Sequence, residues 1–140
     1  MEHLSASPQQ WLIAYGSTLV ALLALDALWL TLFMAPAYKS TLGDMMLSQP
    51  RLVPAVAFYL LFALGVVVFA VLPALHSASW QSAAVLGAVL GLIAYATYDL
   101  TSLAIFKGWT VQLALIDVLW GAVLACAAGV AGYAATSRWG

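Results

Sequence analysis

The sequence of residues 53–75 is VPAVAFYLLFALGVVVFAVLPAL, a run without Asp, Glu, Lys, Arg or His. An α-helix rises 1.5 Å per residue, so about 20 apolar residues cross the roughly 30 Å of hydrocarbon in a bilayer. Pro54 and Pro73 fall in the first and last turns of this run, where a missing N–H or a kink is tolerated. The stretch therefore predicts a transmembrane helix.

Three further segments meet the same length requirement, at about residues 11–35, 82–106 and 110–135. The first of them is predicted to end at Pro36. The third and fourth helices are separated by little more than Lys107 and Gly108, which predicts an antiparallel hairpin. We expect residues 1–140 to form a single domain, an all-α integral membrane four-helix bundle.

The composition agrees with a chain that faces lipid. Hydrophobic residues make up 66% of the sequence and charged residues 6%, and the mean hydropathy is +1.06, whereas a soluble domain carries roughly 25% charged residues. The net charge of -1 lacks the basic footprint that nucleic-acid binding requires, so no nucleic acid is expected as a partner. The N-terminus has no basic segment typical of a signal peptide, and we expect the first apolar stretch to stay in the mature protein.

The distribution of basic residues predicts the orientation in the membrane. Lys39, Arg51 and Lys107 fall on the side of the first and third connections, and Arg138 falls on the side of the termini. Cytoplasmic segments carry the excess of Lys and Arg. Both termini are therefore expected on the non-cytoplasmic side.

Two features are predicted to lie at the membrane–water interface. The connection from Tyr38 to Leu52 contains KSTLGDMML, which is interpreted either as a short interfacial helix or as a solvated loop. Tryptophans are found at or just beyond helix ends, where the amphipathic indole prefers the headgroup layer. They are Trp11, Trp80, Trp109 and Trp139.

Small residues recur at four-residue spacing in the second half of the chain. Such stripes allow helix backbones to approach closely in lipid, which predicts tight packing of the third helix on the fourth. The stripes are Gly87 and Gly91 in the third helix, and Gly121, Ala125 and Gly129 in the fourth. The second helix, with Phe58, Phe62, Gly65 and Phe69 on one face, is interpreted as a packing wall.

Three aspartates lie inside the predicted spans: Asp26, Asp99 and Asp117. A carboxylate in hydrocarbon costs several kcal/mol, so it normally faces the bundle interior or a wet cavity and indicates function. Counted along the helices from the side of the first and third connections, the three lie at depths of about 14, 10 and 10 Å. We predict that all three point inward in one layer.

Aromatic and hydroxyl side chains accompany these acids. Trp29 and Trp120 each follow an aspartate by three residues, in LDALW and IDVLW, so each shares a helix face with its acid. The third helix adds hydroxyl groups in the run YATYDLT. The predicted ligand- or proton-binding site is Asp26, Asp99, Asp117, Tyr95, Tyr98, Thr101, Trp29 and Trp120, with Ser102 close by.

The alternative interpretation is structural: each aspartate is protonated and hydrogen-bonded to a neighbour, and so fastens one helix to another. Other kinds of site are less well supported. His3 and His76 fall on the predicted side of the termini and do not indicate a metal or haem site, so no metal is expected. The sequence contains no phosphate-binding loop, nucleophile elbow or paired-cysteine motif, and it does not indicate which cofactor, if any, is bound.

Like charges in such a layer are expected to share protons. Two carboxylates about 5 Å apart repel by roughly 3 kcal/mol at an effective dielectric constant of about 20. No basic side chain is predicted within the spans to offset this repulsion. We expect the acids to titrate as a coupled group that retains at least one proton at neutral pH.

The chain resembles a known family in four segments: LDALWL near the start, FYLLFALGVVVFAVLPAL in the second helix, YATYDLTSLAIFKGW in the third, and IDVLWG in the fourth. It is similar to the bacterial four-helix membrane family called domain of unknown function 2177. The resemblance spans nearly the whole chain. It implies a four-helix fold in a bacterial inner membrane and points to the same acids, but it implies no reaction. Asn is expected in the family where this sequence has Ser102.

Three functions are compatible with these features. The leading hypothesis is a module that binds or transports a proton, a cation or a small amphiphilic substrate at the carboxyl layer, as a homo-oligomer if a path must be enclosed. The second is an intramembrane enzyme that acts on a lipid or isoprenoid with aspartates as acid and base. The third is an accessory subunit of a larger membrane complex.

Overall fold

The computed structural model describes residues 6–46 and 51–140, and this part of the chain is helical without a strand. The described residues form four long helices, each long and apolar enough to cross a membrane. They are α1 (Pro8–Leu42), α2 (Leu52–Ser77), α3 (Trp80–Ile105) and α4 (Val111–Trp139). The predicted all-α, four-helix membrane architecture is confirmed.

Side-chain caps fix where three of the helices begin. Ser7 accepts a hydrogen bond from the backbone N–H of Gln10 and forms a capping box with it. The hydroxyls of Ser79 and Thr110 accept in the same way at the starts of α3 and α4. Because the first N–H groups of a helix have no partner within the helix, each cap supplies a missing acceptor.

Both long apolar helices that contain an internal proline widen into a π-turn just before it. In α1 the π-turn is Leu30–Met34, followed by Pro36, and in α2 it is Val67–Val71, followed by Pro73. A proline ring clashes with the carbonyl four residues earlier in an α-helix, and a π-turn shifts that carbonyl. The prediction that α1 ends at Pro36 is therefore wrong, since the helix continues to Leu42.

This longer first helix also changes the connection predicted from Tyr38 to Leu52. Residues 38–42 form the last turn of α1, which ends at Gly43 with a positive φ of 57°. A single 3₁₀ turn, Gly43–Met45, follows. No separate interfacial helix forms within residues 38–46, and residues 47–50 of the connection lie outside the described ranges.

The small-residue stripes of α3 and α4 pack backbone against backbone, as predicted. A Cβ atom placed on Gly87 would lie 2.5 Å from the carbonyl oxygen of Ala125. One placed on Gly91 would collide with the carbonyl oxygen of Gly121. Because two backbones can approach this closely only where side chains are absent, these glycines fix the most extensive helix pair of the bundle.

The arrangement of α2 leaves a gap near the connections. The first half of α2 packs mainly on α1, and α2 packs closely on α3 only from its π-turn onward. The half of the bundle nearer the termini is filled by fully buried side chains, among them Val67, Ala70, Val71, Ala83 and Ala128. The opposite half, between α2 and α3, contains the predicted acids.

Candidate functional site

All three intramembrane aspartates point into the bundle, as predicted. Asp26 and Asp117 are each 5% exposed and Asp99 is 0% exposed. Asp117 lies close enough to interact electrostatically with both Asp26 and Asp99. Residues from α1, α3 and α4 thus form one acid cluster, which we define as Asp26, Asp99 and Asp117.

Asp26 is fixed by two donors from different helices. The hydroxyl of Tyr59 on α2 donates to Oδ2, and the indole Nε1–H of Trp120 on α4 donates to Oδ1 at 2.9 Å. The ring of Trp120 stacks on Trp29, with centroids 4.5 Å apart and planes inclined by 9°. Asp26 therefore joins α1, α2 and α4, which agrees with the structural interpretation for this one residue.

Asp99 is in a different situation. Within the described part of the chain, neither of its carboxyl oxygens has a hydrogen-bond partner, although both are buried. Asp117 and Trp109 lie close to it, and the indole nitrogen of Trp109 also lacks a partner among the described residues. Buried polar atoms are normally satisfied. Asp99 lacks the two fixed donors that hold Asp26.

A cavity of about 290 Å³ lies beside the acid cluster. All four helices contribute to its wall, which combines two carboxyl groups with five aromatic rings. Its lining residues are Asp26, Leu30, Tyr38, Phe58, Tyr59, Ala94, Tyr95, Tyr98 and Asp117. A mainly apolar pocket with a few convergent polar groups is the usual form of a small-molecule site.

The wall of the cavity reaches the outer surface of the bundle at α2 and α3. Phe58 on α2 is 41% exposed and Tyr98 on α3 is 51% exposed, although both side chains also line the cavity. Phe58 contacts Tyr95 edge to face across the gap, with ring centroids 6.3 Å apart. Side chains that line the cavity thus also form part of the outer face of α2 and α3.

The other predicted site residues are divided between the cavity and its surroundings. Tyr95 and Tyr98 line it, whereas Trp29 and Trp120 lie behind Asp26. Thr101 is exposed on the outer face of α3 and is not brought to the acids. The reason is helical geometry: two residues after Asp99, the side chain points to nearly the opposite side. Ser102, three residues after Asp99, is buried.

Five cavity residues were not among the predicted site residues: Leu30, Tyr38, Phe58, Tyr59 and Ala94. Tyr38 was assigned to a connection, and Phe58 and Tyr59 were assigned to a helix that was interpreted as a packing wall. That interpretation of α2 is incomplete, because the hydroxyl of Tyr59 donates a hydrogen bond to Asp26. The depth of Tyr59 could have indicated its place in the site. It is seven residues into α2 and so lies about 10 Å along the helix, a depth similar to that of the acids. Trp109, predicted to be an interfacial anchor, is only 9% exposed and packs with Met34 and Leu113.

The donor set of the site favours an organic ligand over a metal ion. Within residues 6–46 and 51–140, no three His, Cys, Asp or Glu side chains converge as metal ligands. Hard cations need several oxygen ligands at short range, whereas the cavity wall is largely aromatic. His76 is exposed at the end of α2, and His3 lies outside the described residues.

Comparison with known proteins gives one match. Residues 11–134 match the model of a family described as "Predicted membrane protein (DUF2177)". The chain belongs to this family. The DUF2177 match covers all four helices and the whole acid cluster, but its description names no activity. No curated protein and no solved structure matches the chain.

Proposed function

We propose that this protein binds the polar head of a small membrane amphiphile in the lateral cavity, while the apolar chain of the amphiphile passes out between α2 and α3. The observation that carries the proposal is the combination, in one cavity, of buried carboxyl groups and a wall that reaches the outer surface of the bundle. A polar head gains hydrogen bonds and charge partners inside, and the chain stays in hydrocarbon.

The packing supports binding rather than passage through the bundle. The half of the bundle toward the termini is closed by side chains of 0% exposure, including Val67, Ala70 and Ala128. A water-filled path would have to cross this layer, whereas a ligand that enters from the lipid need not. We accordingly assign the carboxyl groups a binding role.

Filling the cavity should remove the bound amphiphile. Ala94 lines the cavity from α3, and a phenylalanine at this position would occupy the space that the head requires. When the protein is purified in mild detergent and measured by native mass spectrometry, the wild type should retain an amphiphile. Ala94→Phe should retain it at less than about one tenth of the wild-type occupancy, which corresponds to a loss of at least about 1.4 kcal/mol in binding free energy.

The matched control is Ala104→Phe, the same substitution on the same helix at an exposed position. It should leave the occupancy unchanged, and both variants should be checked for thermal unfolding. Equal occupancy in Ala94→Phe and the wild type would show that the retained molecule lies elsewhere, which contradicts the proposal.

For the location, we propose a bacterial inner membrane with both termini on the non-cytoplasmic side, on the basis of the basic residues at the connections. In a Cys126→Ala background, an impermeant thiol reagent should label Ser137→Cys in intact cells. It should label Asp44→Cys only after permeabilisation. Both sites are exposed in the structure. The reverse pattern would overturn the orientation.

A further inference from the structure

The charged side chains that line the lateral cavity are all acidic. Asp26 and Asp117 line it, and Asp99 lies directly behind Asp117. No Lys, Arg or His is among its lining residues. The described basic side chains are all exposed and belong to helix ends or connections: Lys39, Arg51, His76, Lys107 and Arg138. Within the described residues, no basic side chain thus lies against these acids.

The walls of the cavity suit a diffuse positive charge. Five rings line it: Tyr38, Phe58, Tyr59, Tyr95 and Tyr98. Aromatic faces attract cations, most strongly where water is excluded, and aromatic walls are the common way in which proteins recognise alkylated ammonium groups. A compact metal ion would instead need several oxygen ligands.

The acids within the cavity are not equally available to a ligand. Both oxygens of Asp26 already accept hydrogen bonds, from Tyr59 and Trp120. Asp99 is fully buried and is not among the lining residues. Asp117 is the carboxyl that borders the cavity without the two donors that hold Asp26, and Asp99 and Tyr38 lie close to it. A ligand charge would therefore be placed beside Asp117.

We infer that the head of the bound amphiphile is a single organic ammonium group, a protonated amine or a quaternary ammonium, held by Asp117 against the tyrosine rings. This inference rests on the proposed function and names the class of ligand for the same site. A head that carries phosphate, as in ordinary phospholipids, is excluded because the acid cluster repels it. The volume of about 290 Å³ is at the small end of ligand pockets, which suits a head of this size with the first part of its chain.

The test compares three probes that share a dodecyl chain, each titrated into protein in neutral maltoside micelles. The probes are dodecyltrimethylammonium, its neutral isostere with a tert-butyl head, and the phosphate-bearing dodecylphosphocholine. Binding is followed by isothermal titration calorimetry. We expect the cation to bind at least tenfold more tightly than either of the others.

Substitutions test whether the preference for the cationic probe arises at the cavity. Asp117→Asn should weaken binding of the cation at least tenfold and leave the neutral isostere unchanged. Asp44→Asn removes an equal charge from an exposed position outside the cavity and should have no effect. Tyr98→Phe retains the ring and should weaken binding of the cation much less than Tyr98→Leu, which should weaken it severalfold. These two variants test the site even if Asp117→Asn does not fold.

The outcomes separate the two proposals. If the isostere binds as tightly as the cation, or if Asp44→Asn weakens binding as much as Asp117→Asn, the ammonium head is wrong. The amphiphile site itself would then still stand on the Ala94→Phe result. If none of the probes binds and Ala94→Phe retains its amphiphile, both proposals are wrong.

Discussion

Gly91→Ala should destabilise the protein by about 2 kcal/mol, in the range measured for overpacked cores. The added Cβ would lie 2.7 Å from the Cβ of Ala125 and would collide with the backbone carbonyl of Gly121. Neither neighbour is the flexible end of a side chain, so α3 and α4 would have to separate. Since these helices form the most extensive pair in the bundle, the loss should appear as a lower midpoint in denaturant or thermal unfolding.

The matched control is Gly16→Ala on α1, where an added Cβ meets no atom within 4 Å among the described residues. This substitution should be neutral or slightly stabilising, because alanine is the better helix former. Equal unfolding midpoints for Gly91→Ala and Gly16→Ala would mean that the backbones of α3 and α4 are farther apart than the structure shows.

Asp26→Ala should cost about 2 kcal/mol or more and should disturb the stacked tryptophans. It leaves the Tyr59 hydroxyl and the Trp120 indole N–H without their acceptor, and hydrogen bonds to a charged group are each worth about 1.5–3 kcal/mol. Relief of like-charge repulsion within the acid cluster offsets part of this loss. Because Trp120 stacks on Trp29, the near-ultraviolet circular dichroism should weaken as well.

Tyr59→Phe separates the two contributions. It removes the donor on α2 and leaves the bond from Trp120 to Asp26 in place, so it should lower stability by about 1.5 kcal/mol and retain the near-ultraviolet signal. An Asp26→Ala variant with unchanged stability and unchanged spectrum would show that Asp26 does not join the helices as described.

Much of the fold could be predicted from the sequence because a bilayer imposes strict lengths and burial on a chain. Apolar runs longer than about 20 residues determine the number of helices. The cost of a lipid-facing carboxyl predicts the inward direction of Asp26, Asp99 and Asp117. The spacing of Gly87, Gly91 and their partners predicts which helices pack closely, since small side chains have no other common role at that spacing in lipid.

The remaining features depend on contacts between helices and on local backbone geometry. In the sequence, Tyr59 is part of an apolar helix with no sign of a polar partner. Its hydroxyl reaches Asp26 only because α2 packs beside α1. The π-turn before Pro36 extends α1 and so brings Tyr38 to the cavity. Proline spacing alone does not distinguish a helix end from a widened turn. The gap between α2 and α3 likewise arises because the first half of α2 packs on α1 and not on α3. The sequence of a single helix does not indicate this arrangement.

The separate environments of the acids bear directly on the three functions considered. Asp26 behaves as a structural link, Asp117 borders the cavity, and Asp99 is buried behind it without a partner among the described residues. A dry bundle in which every acid is capped, as expected of an accessory subunit, would not leave Asp99 unsatisfied. A ligand that neutralises Asp117 would also reduce the repulsion between Asp117 and Asp99.

An experimental structure of the protein in a lipid bilayer would test the central claim most directly, because it would show what occupies the cavity. We expect elongated density with one end beside Asp117 and the tyrosine rings, and with the other end passing between Phe58 and Tyr98 into the lipid. A bundle in which the first half of α2 closes against α3 and the acids are sealed in a dry interior would contradict the account.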